Sequence, residues 1–579
     1  MKSTALKLLC LLLSALLLVG CAPAEAEDPN AAAPDSSGAV VDSEPSEDGQ
    51  EPESSEESAP AQEAVLTEAA LAQIATLGES PDDNYRTWYE IFVYSYCDSD
   101  GDGIGDFQGI ISKLDELEAL GINGIWLMPI HPSTTYHKYN VSDYYEIDPA
   151  YGTMEDFEAF MSECESRDIK VIIDLVLNHT GSEHPWFKEA VSYLQALPEG
   201  KAPDASECKY LDYYYFQQAE SCPAGYNAVA ATADWYYESR FSYDMPDLNL
   251  ANDEVRSEIT AIMQFWIDKG VAGFRLDAAK EFYSGDAPKN VEVLNWIQET
   301  ATALKPDCYL VAEVWDSFSA ITTYYTSGII SIFDYPFGNK DGKIMDVLRG
   351  AGNPSQVSSY ATALEKADSA YRESNPDYID APFLTNHDVG RAAGFVNRDP
   401  LKTKLAGAMN IFMSGSVFIY YGEEIGMICG DINDPSYRAP MYWSAEGGNG
   451  TTTPPPGCVL PEEYPMGSLE EQKNDDGSVY NYYRQAIAIR KALPVISHGI
   501  TTAETELNVG CISAQRKTWN EESCIILMNI NTEAAEVDLS AYADWTMAAS
   551  LSADGNTVTL DGTTLSLPAY GVAVLIPAA

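Results

Sequence analysis

Four short stretches of the chain gather residue types suited to proton transfer and nucleophilic attack. They are Asp174 with Asn178 and His179; Arg275, Asp277, Lys280 and Glu281; Glu313 with Trp315; and Asn386, His387 and Asp388. A carboxyl group donates a proton when its environment keeps it neutral and attacks an electrophile when ionised, so one site holding several can do both. Taken singly, each would more simply be a helix cap or hydrogen-bond acceptor. It is the set that points to chemistry. Arg275 and Asp277, two positions apart on an extended segment, face the same way, and the guanidinium keeps that carboxylate ionised. Elsewhere, Asp98, Asp100, Asp102 and Asp106 alternate with small residues and glycines, a spacing of hard oxygen donors that suits calcium. It is not an EF-hand, because Gly109 stands where the twelfth-position Glu would be.

Each of these stretches closes a β-rich run. Eight such runs, 88–94, 124–128, 171–176, 273–276, 309–314, 329–333, 382–385 and 417–421, alternate with segments of helical periodicity such as Phe157, Phe160, Met161, Cys164 and Val255, Ile259, Ile262, Trp266. That repeat predicts an α/β fold, a closed (β/α)8 TIM barrel, with an open doubly wound sheet as the alternative; no G-x-G-x-x-G follows the first run. In a barrel the C-terminal strand ends share one mouth, which would bring Asp277, Glu313 and Asp388 together. Residues 180–246 are too long and Tyr-rich for a barrel loop and are expected to form a small inserted domain after the third strand. After 493 the pattern changes to strand alternation, which predicts a C-terminal all-β sandwich over 494–579. The barrel thus spans 81–179 and 247–493.

The chain has 579 residues and a net charge of −56, which repels phosphate backbones and excludes sequence-independent nucleic-acid binding. Its 36 Tyr and 10 Trp suit flat, uncharged ligands such as sugars. Lys2, Lys7, the apolar run 8–19 and Cys21 form an export signal too short to span a membrane. A Cys directly after Gly20 resembles a lipoprotein signal, so residues 1–21 are read as a leader with Cys21 acylated and the protein held at the bacterial cell surface by that lipid alone. Residues 22–80, acidic and without aromatics, Lys or Arg, form a disordered tether. Nine further cysteines follow, with no zinc spacing; proximity makes Cys208 with Cys222 and Cys511 with Cys524 the candidate disulfides, and buried thiols the equal alternative.

The four stretches, in order on the third, fourth, fifth and seventh strands, resemble the α-amylase family of glycoside hydrolases. Trp126-Leu-Met-Pro129 and Gly422-Glu-Glu-Ile-Gly426 agree, and Met245-Pro-Asp-Leu-Asn249 resembles members intermediate between oligo-1,6-glucosidases and neopullulanases, a group containing lipoprotein α-amylases. The resemblance implies that Asp277 is the nucleophile, Glu313 the acid/base and Asp388 the carboxylate that orients sugar hydroxyls. It places Tyr139 as a stacking platform and His179, Arg275, Lys280, His387 and Arg391 in substrate binding. It implies calcium as the structural cofactor, on Asp98, Asp100, Asp102, the Ile104 carbonyl and Asp106, with no organic cofactor, in a monomer whose partner is an α-glucan. Glu281 replaces a family His, so the usual second calcium site is not expected. Tyr136 stands where exo-acting α-glucosidases carry an Asp, whereas 438–443 resembles their matching segment. With only a leader and tether ahead of the barrel, a typical neopullulanase is not expected. The implied activity is retaining hydrolysis of internal α-1,4 bonds in starch and maltodextrins. Hydrolysis of α-1,6 oligosaccharides is the alternative. A non-catalytic glucan-binding lipoprotein is the reading from a different class, and the intact Asp277, Glu313, Asp388 set argues against it.

Overall fold

The computed structural model describes residues 83–578 apart from 199, 430, 431 and 449; the leader, Cys21 and the acidic tether lie outside the described residues. Seven parallel strands, Thr87–Ile91, Gly124–Leu127, Lys170–Leu175, Gly273–Leu276, Tyr309–Ala312, Ser331–Ile332 and Val417–Tyr420, pair in chain order, and the last returns to the first. The seventh run, 382–385, expected as a strand, is interrupted. Pro382 has no N–H to donate, so pairing there shrinks to bridges of Ala381 with Phe333 and of Phe383 with Phe418. Backbone bonds from Asp334 N to the Ala381 carbonyl (3.0 Å) and from Phe418 N to the Pro382 carbonyl (2.8 Å) still tie that stretch to both neighbours. The ring is therefore a closed (β/α)8 barrel.

The strands are buried on both faces, which explains their near-continuous apolar sequences. Parity along them sorts interior from exterior. Register aligns Asp174 with Arg275 and Arg275 with Val311, so Asp277 and Glu313, two residues further on, carry the same inward parity to the mouth. At the opposite end Trp88 stacks on Tyr309 (centroids 5.2 Å apart) and Phe418 (5.9 Å). Gly124 makes room for that indole, since a Cβ there would lie 2.4 Å from its ring.

The outer helices follow their sequence signals. Thr153 and Asp156 form a capping box on helix Met154–Ser166, and Asn252 caps Asp253–Asp268, which buries Val255, Ile259, Ile262, Met263 and Trp266. Ile110, Leu114 and Leu117 stand at helical spacing but fall on two helices, Phe107–Ile111 and Leu114–Leu120. The Ser112 hydroxyl bonds back to the Gly109 carbonyl at the break.

Within 180–246 lie helix Pro185–Ala196 and a three-stranded antiparallel sheet of Phe216–Gln218, Trp235–Glu238 and Tyr226–Ala228. At the C-terminus, a five-stranded sheet faces a three-stranded one across a core that includes Ile525, Leu527, Leu565, Leu567 and Leu575. The alternate residues Cys524, Ile526 and Met528 of strand Glu522–Asn529 belong to the barrel's core instead, so the strand is apolar without a break from Cys524 to Met528.

Neither candidate disulfide forms, and the nine described cysteines are free thiols. Lys517 pairs with Cys524 and Ile512 with Asn529, so Cys511 lies about 20 Å along the hairpin from Cys524 at ~3.3 Å per residue. Arg490, on helix Val479–Ala492, is buried and donates to the carbonyls of Ile411 (2.7 Å), Met413 (2.6 Å) and Gly415, tying this helix to the turn before the last barrel strand. Arg490→Met should leave these buried acceptors without a donor, at about 1–3 kcal/mol each. The expected outcome is a melting temperature several degrees lower in a thermal scan; an unchanged value would remove Arg490 from the account of stability.

Candidate active site

The barrel floor is built around one guanidinium. Arg275 is 1% exposed, and its Nη1 contacts Asp174 Oδ1 (2.5 Å), Asp277 Oδ1 (2.7 Å) and the Tyr139 hydroxyl (3.2 Å), while Nη2 contacts Glu313 Oε2 (2.8 Å). The planar fork thus serves carboxylates from three successive strands. Asp174 is held further by Trp126 Nε1 and the Tyr139 hydroxyl, both at 3.2 Å. Glu313 Oε2 also accepts from the backbone N–H of Ala278 (2.9 Å).

The far side is built around His387. Its Nδ1 contacts Glu90 Oε1 (2.5 Å), and its Nε2 faces Asp388 Oδ2 (3.0 Å) and the Tyr139 hydroxyl (2.7 Å). Arg438 Nη2 holds the other Asp388 oxygen at 2.9 Å. Burial favours neutral groups here, and the charged neighbours oppose it selectively. For His387 the two carboxylates win and hold its pKa up at about 10. Burial works against Asp388 ionising as well, yet the His387 charge and Arg438 keep it far below the usual carboxylate range. Burial raises Asp277 and Glu313 while Arg275 pulls both down; on Glu313 the charges of Asp277 and Asp388 add to the upward push. The mouth therefore combines an ionised carboxylate, Asp388, with two carboxyls that burial biases toward keeping a proton, Asp277 and Glu313.

Above this floor opens a cavity of about 630 Å³, lined by Tyr139, His179, Asp277, Lys280, Glu313 and Asp388, with Phe241 and Met245 added by the inserted segment. His179 Nε2 is buried there with no hydrogen-bond partner among the described residues, and burial lowers the pKa of the ring to about 4, which favours the neutral imidazole. A second cavity of about 500 Å³ shares Trp315 and Asp388 with the first. Trp315 is 43% exposed and stacks on Tyr335 with centroids 5.2 Å apart.

Three of the residues expected to bind substrate do not line this cavity: Arg275 forms the floor beneath it, and Arg391 and His387 sit elsewhere. Arg391 is buried, donates to the Tyr421 carbonyl and lies over the rings of Tyr420 and Tyr421, away from the cavity. His387 is fully buried under Tyr139 with both nitrogens engaged by protein, so it supports Asp388 rather than reaching a ligand. Sequence reasoning missed Glu90, Asp434 and Tyr335 as members of this network. Glu90 had a signal, since it shares the inward parity of the first strand; Asp434, opening the one-turn helix Asp434–Tyr437, and Tyr335, in a loop, had none.

In the acidic loop, carboxylate oxygens of Asp98, Asp100 and Asp106 come within 4.8 Å of one another. Among the described residues no Lys or Arg ion pair neutralises them, and such an all-oxygen set fits a hard cation. Asp102 stands outside this group, its Oδ1 turned back to the Ile104 N–H (2.7 Å). Asp106 also caps helix Phe107–Ile111 through the Gly109 N–H.

A closed barrel whose mouth carries three carboxylates, two of them biased toward the proton and one held ionised, below a sugar-sized cavity has the architecture of a glycoside hydrolase. Residues 90–499 match the family described as "Alpha amylase, catalytic domain", and the chain belongs to that α-amylase family. It is 38% identical over 448 residues to Alpha-amylase 3 of Dictyoglomus thermophilum, covering 77% of this chain and 84% of that protein. It is 27% identical to the oligo-1,6-glucosidase of Parageobacillus thermoglucosidasius, over 76% of this chain and 89% of the relative. The solved structure of Eubacterium rectale Amy13B superposes with a TM-score of 0.83 at 42% identity, covering 88% and 99% of the two chains.

Arg275→Lys tests the floor, because an ammonium keeps the charge but loses the fork. Weaker stabilisation of ionised Asp277 raises its pKa, so the acidic limb of kcat/KM should move to higher pH and the plateau should fall by about 10²-fold. A plateau within threefold of wild type and an unmoved limb would contradict this role.

Proposed function

We propose that the protein hydrolyses internal α-1,4 bonds of starch and maltodextrins with retention of configuration. Asp277 attacks the anomeric carbon while Glu313 protonates the departing glycosidic oxygen; Glu313 then takes a proton from water as that water releases the glycosyl ester. Contact of both carboxyls with the one Arg275 guanidinium supports the close spacing, about 5–5.5 Å, that retention needs. Asp388, kept ionised, accepts sugar hydroxyls, His179 Nε2 serves another, and Tyr139 offers its ring to the sugar face.

The observation that carries the internal cut is the pair of cavities meeting at Trp315 and Asp388. An enzyme that removes single terminal units needs a wall and an anchor on one side; a groove extending past the carboxylates accommodates a chain on both. Tyr136 in place of an anchoring Asp supports the same reading. A blocked maltoheptaoside with its non-reducing end capped should be cut internally, maltose and maltotriose should dominate early products, and Asp277→Asn should remove nearly all turnover. Glucose alone from uncapped chains, with the capped one untouched, would favour the exo-acting α-1,6 alternative.

Asp98, Asp100 and Asp106 would hold calcium, which supplies structural cross-linking at the loop after the first strand. Acylation of Cys21 and attachment to the cell surface rest on the leader pattern and the acidic tether. For the metal, EDTA should lower the melting temperature, calcium should restore it, and Asp100→Ala should abolish the response. Identical melting curves in all three cases would make the loop an ordinary turn.

A further inference from the structure

Beside Asp388, Asp434 and Arg438 line the larger cavity, and Tyr136 is bonded to both. Protein groups engage every nitrogen of the Arg438 fork. Nε donates to the His387 carbonyl (3.1 Å), Nη1 to the Tyr136 hydroxyl (3.2 Å) and Asp434 Oδ2 (3.1 Å), and Nη2 to Asp388 Oδ1 (2.9 Å), while Asp434 Oδ1 lies 2.8 Å from Nη2 in an ion pair. The Tyr136 hydroxyl in turn gives its proton to Asp434 Oδ2. Asp434 can still accept: its side chain is 49% exposed, it lines the cavity, and its Oδ1 keeps an unused lone pair while two hydrogen bonds and the ion pair fix its position.

A fixed, charged acceptor at a cavity wall suits a neutral hydroxyl, with which it makes a charge-assisted hydrogen bond, and it repels phosphorylated or carboxylated sugars. Asp434 shares its cavity with Tyr139 and His179 and does not line the second cavity beyond Trp315. That places it on the side of the glycosyl donor. Resting on the internal-cleavage reading above, we propose that Asp434 sets chain-length specificity by accepting a hydroxyl of the glucosyl unit preceding the one that is cleaved.

The test is a ratio. For wild type and Asp434→Asn, kcat/KM is measured on the capped maltoheptaoside and on an aryl α-glucoside, which has a single donor unit. The heptaoside-to-glucoside ratio should fall about tenfold in Asp434→Asn, chiefly through KM on the longer chain. Asp434→Glu, which retains the charged acceptor, should recover part of it, and melting curves establish that both variants are folded. An equal loss on both substrates would mean that Asp434 acts only by holding Arg438 and Asp388, and overturns the proposal. An unchanged ratio overturns it too. If wild type itself leaves the capped chain intact, the internal-cleavage reading fails first; if wild type cuts it and the ratio stays put, only the role of Asp434 is lost.

Discussion

A guanidinium buried inside a barrel is costly unless its charge is matched, and carboxylates crowded at one mouth repel unless a cation stands among them. Arg275 and its three carboxylates answer both demands together. Asp174 is the silent partner: fully buried, it has no access to the cavity, and its charge lets Arg275 remain where the sugar-facing carboxyls need it. Glycine at 273 lets the strand start against the Tyr309 backbone, with no room for a Cβ, so that Arg275 arrives at the right height. The chemistry proposed for Asp277 and Glu313 rests on that arrangement, because burial pushes both toward the protonated form and the one shared cation opposes it at each.

The second half of the mouth depends on closure of the ring. Glu90 comes from the first strand and His387 from the stretch following the interrupted seventh run, and they meet only because the strand between them, Val417–Tyr420, bridges both neighbours. Protonated His387, fixed between Glu90 and Asp388, acts as a local counter-charge for the carboxylate it faces. Closure, an apolar packing event at the base, thus sets a protonation state at the top.

Relatives bearing the names of an α-amylase and of an oligo-1,6-glucosidase share this family, so a floor common to the family does not by itself select the bond. Selection must lie in the walls: Phe241 and Met245 from the inserted segment, Trp315 stacked on Tyr335, and the Tyr136, Asp434 and Arg438 network. These come from loops, whose conformations are free to vary while the strands beneath hold the reacting groups.

By itself the amino-acid sequence determined the barrel, since two-sided apolar runs separated by amphipathic helices have few other ways to bury their surface. It determined the inward set as well, because period-two parity ties Arg275 to Asp277 and aligns strand ends regardless of the rest of the fold. Features that depend on who meets whom across long separations were decided by tertiary structure alone. Cys511 and Cys524 are close in sequence, yet the hairpin register carries them apart. Arg391 and His387 follow the same strand as Asp388 but turn into protein, where Tyr421 and Glu90 already wait. Asp434 carries no pattern of its own, and it becomes part of the site only because the chain returns 298 residues after Tyr136 to complete one hydrogen-bond network. Local periodicity is written residue by residue; a network's membership exists only once the barrel has closed.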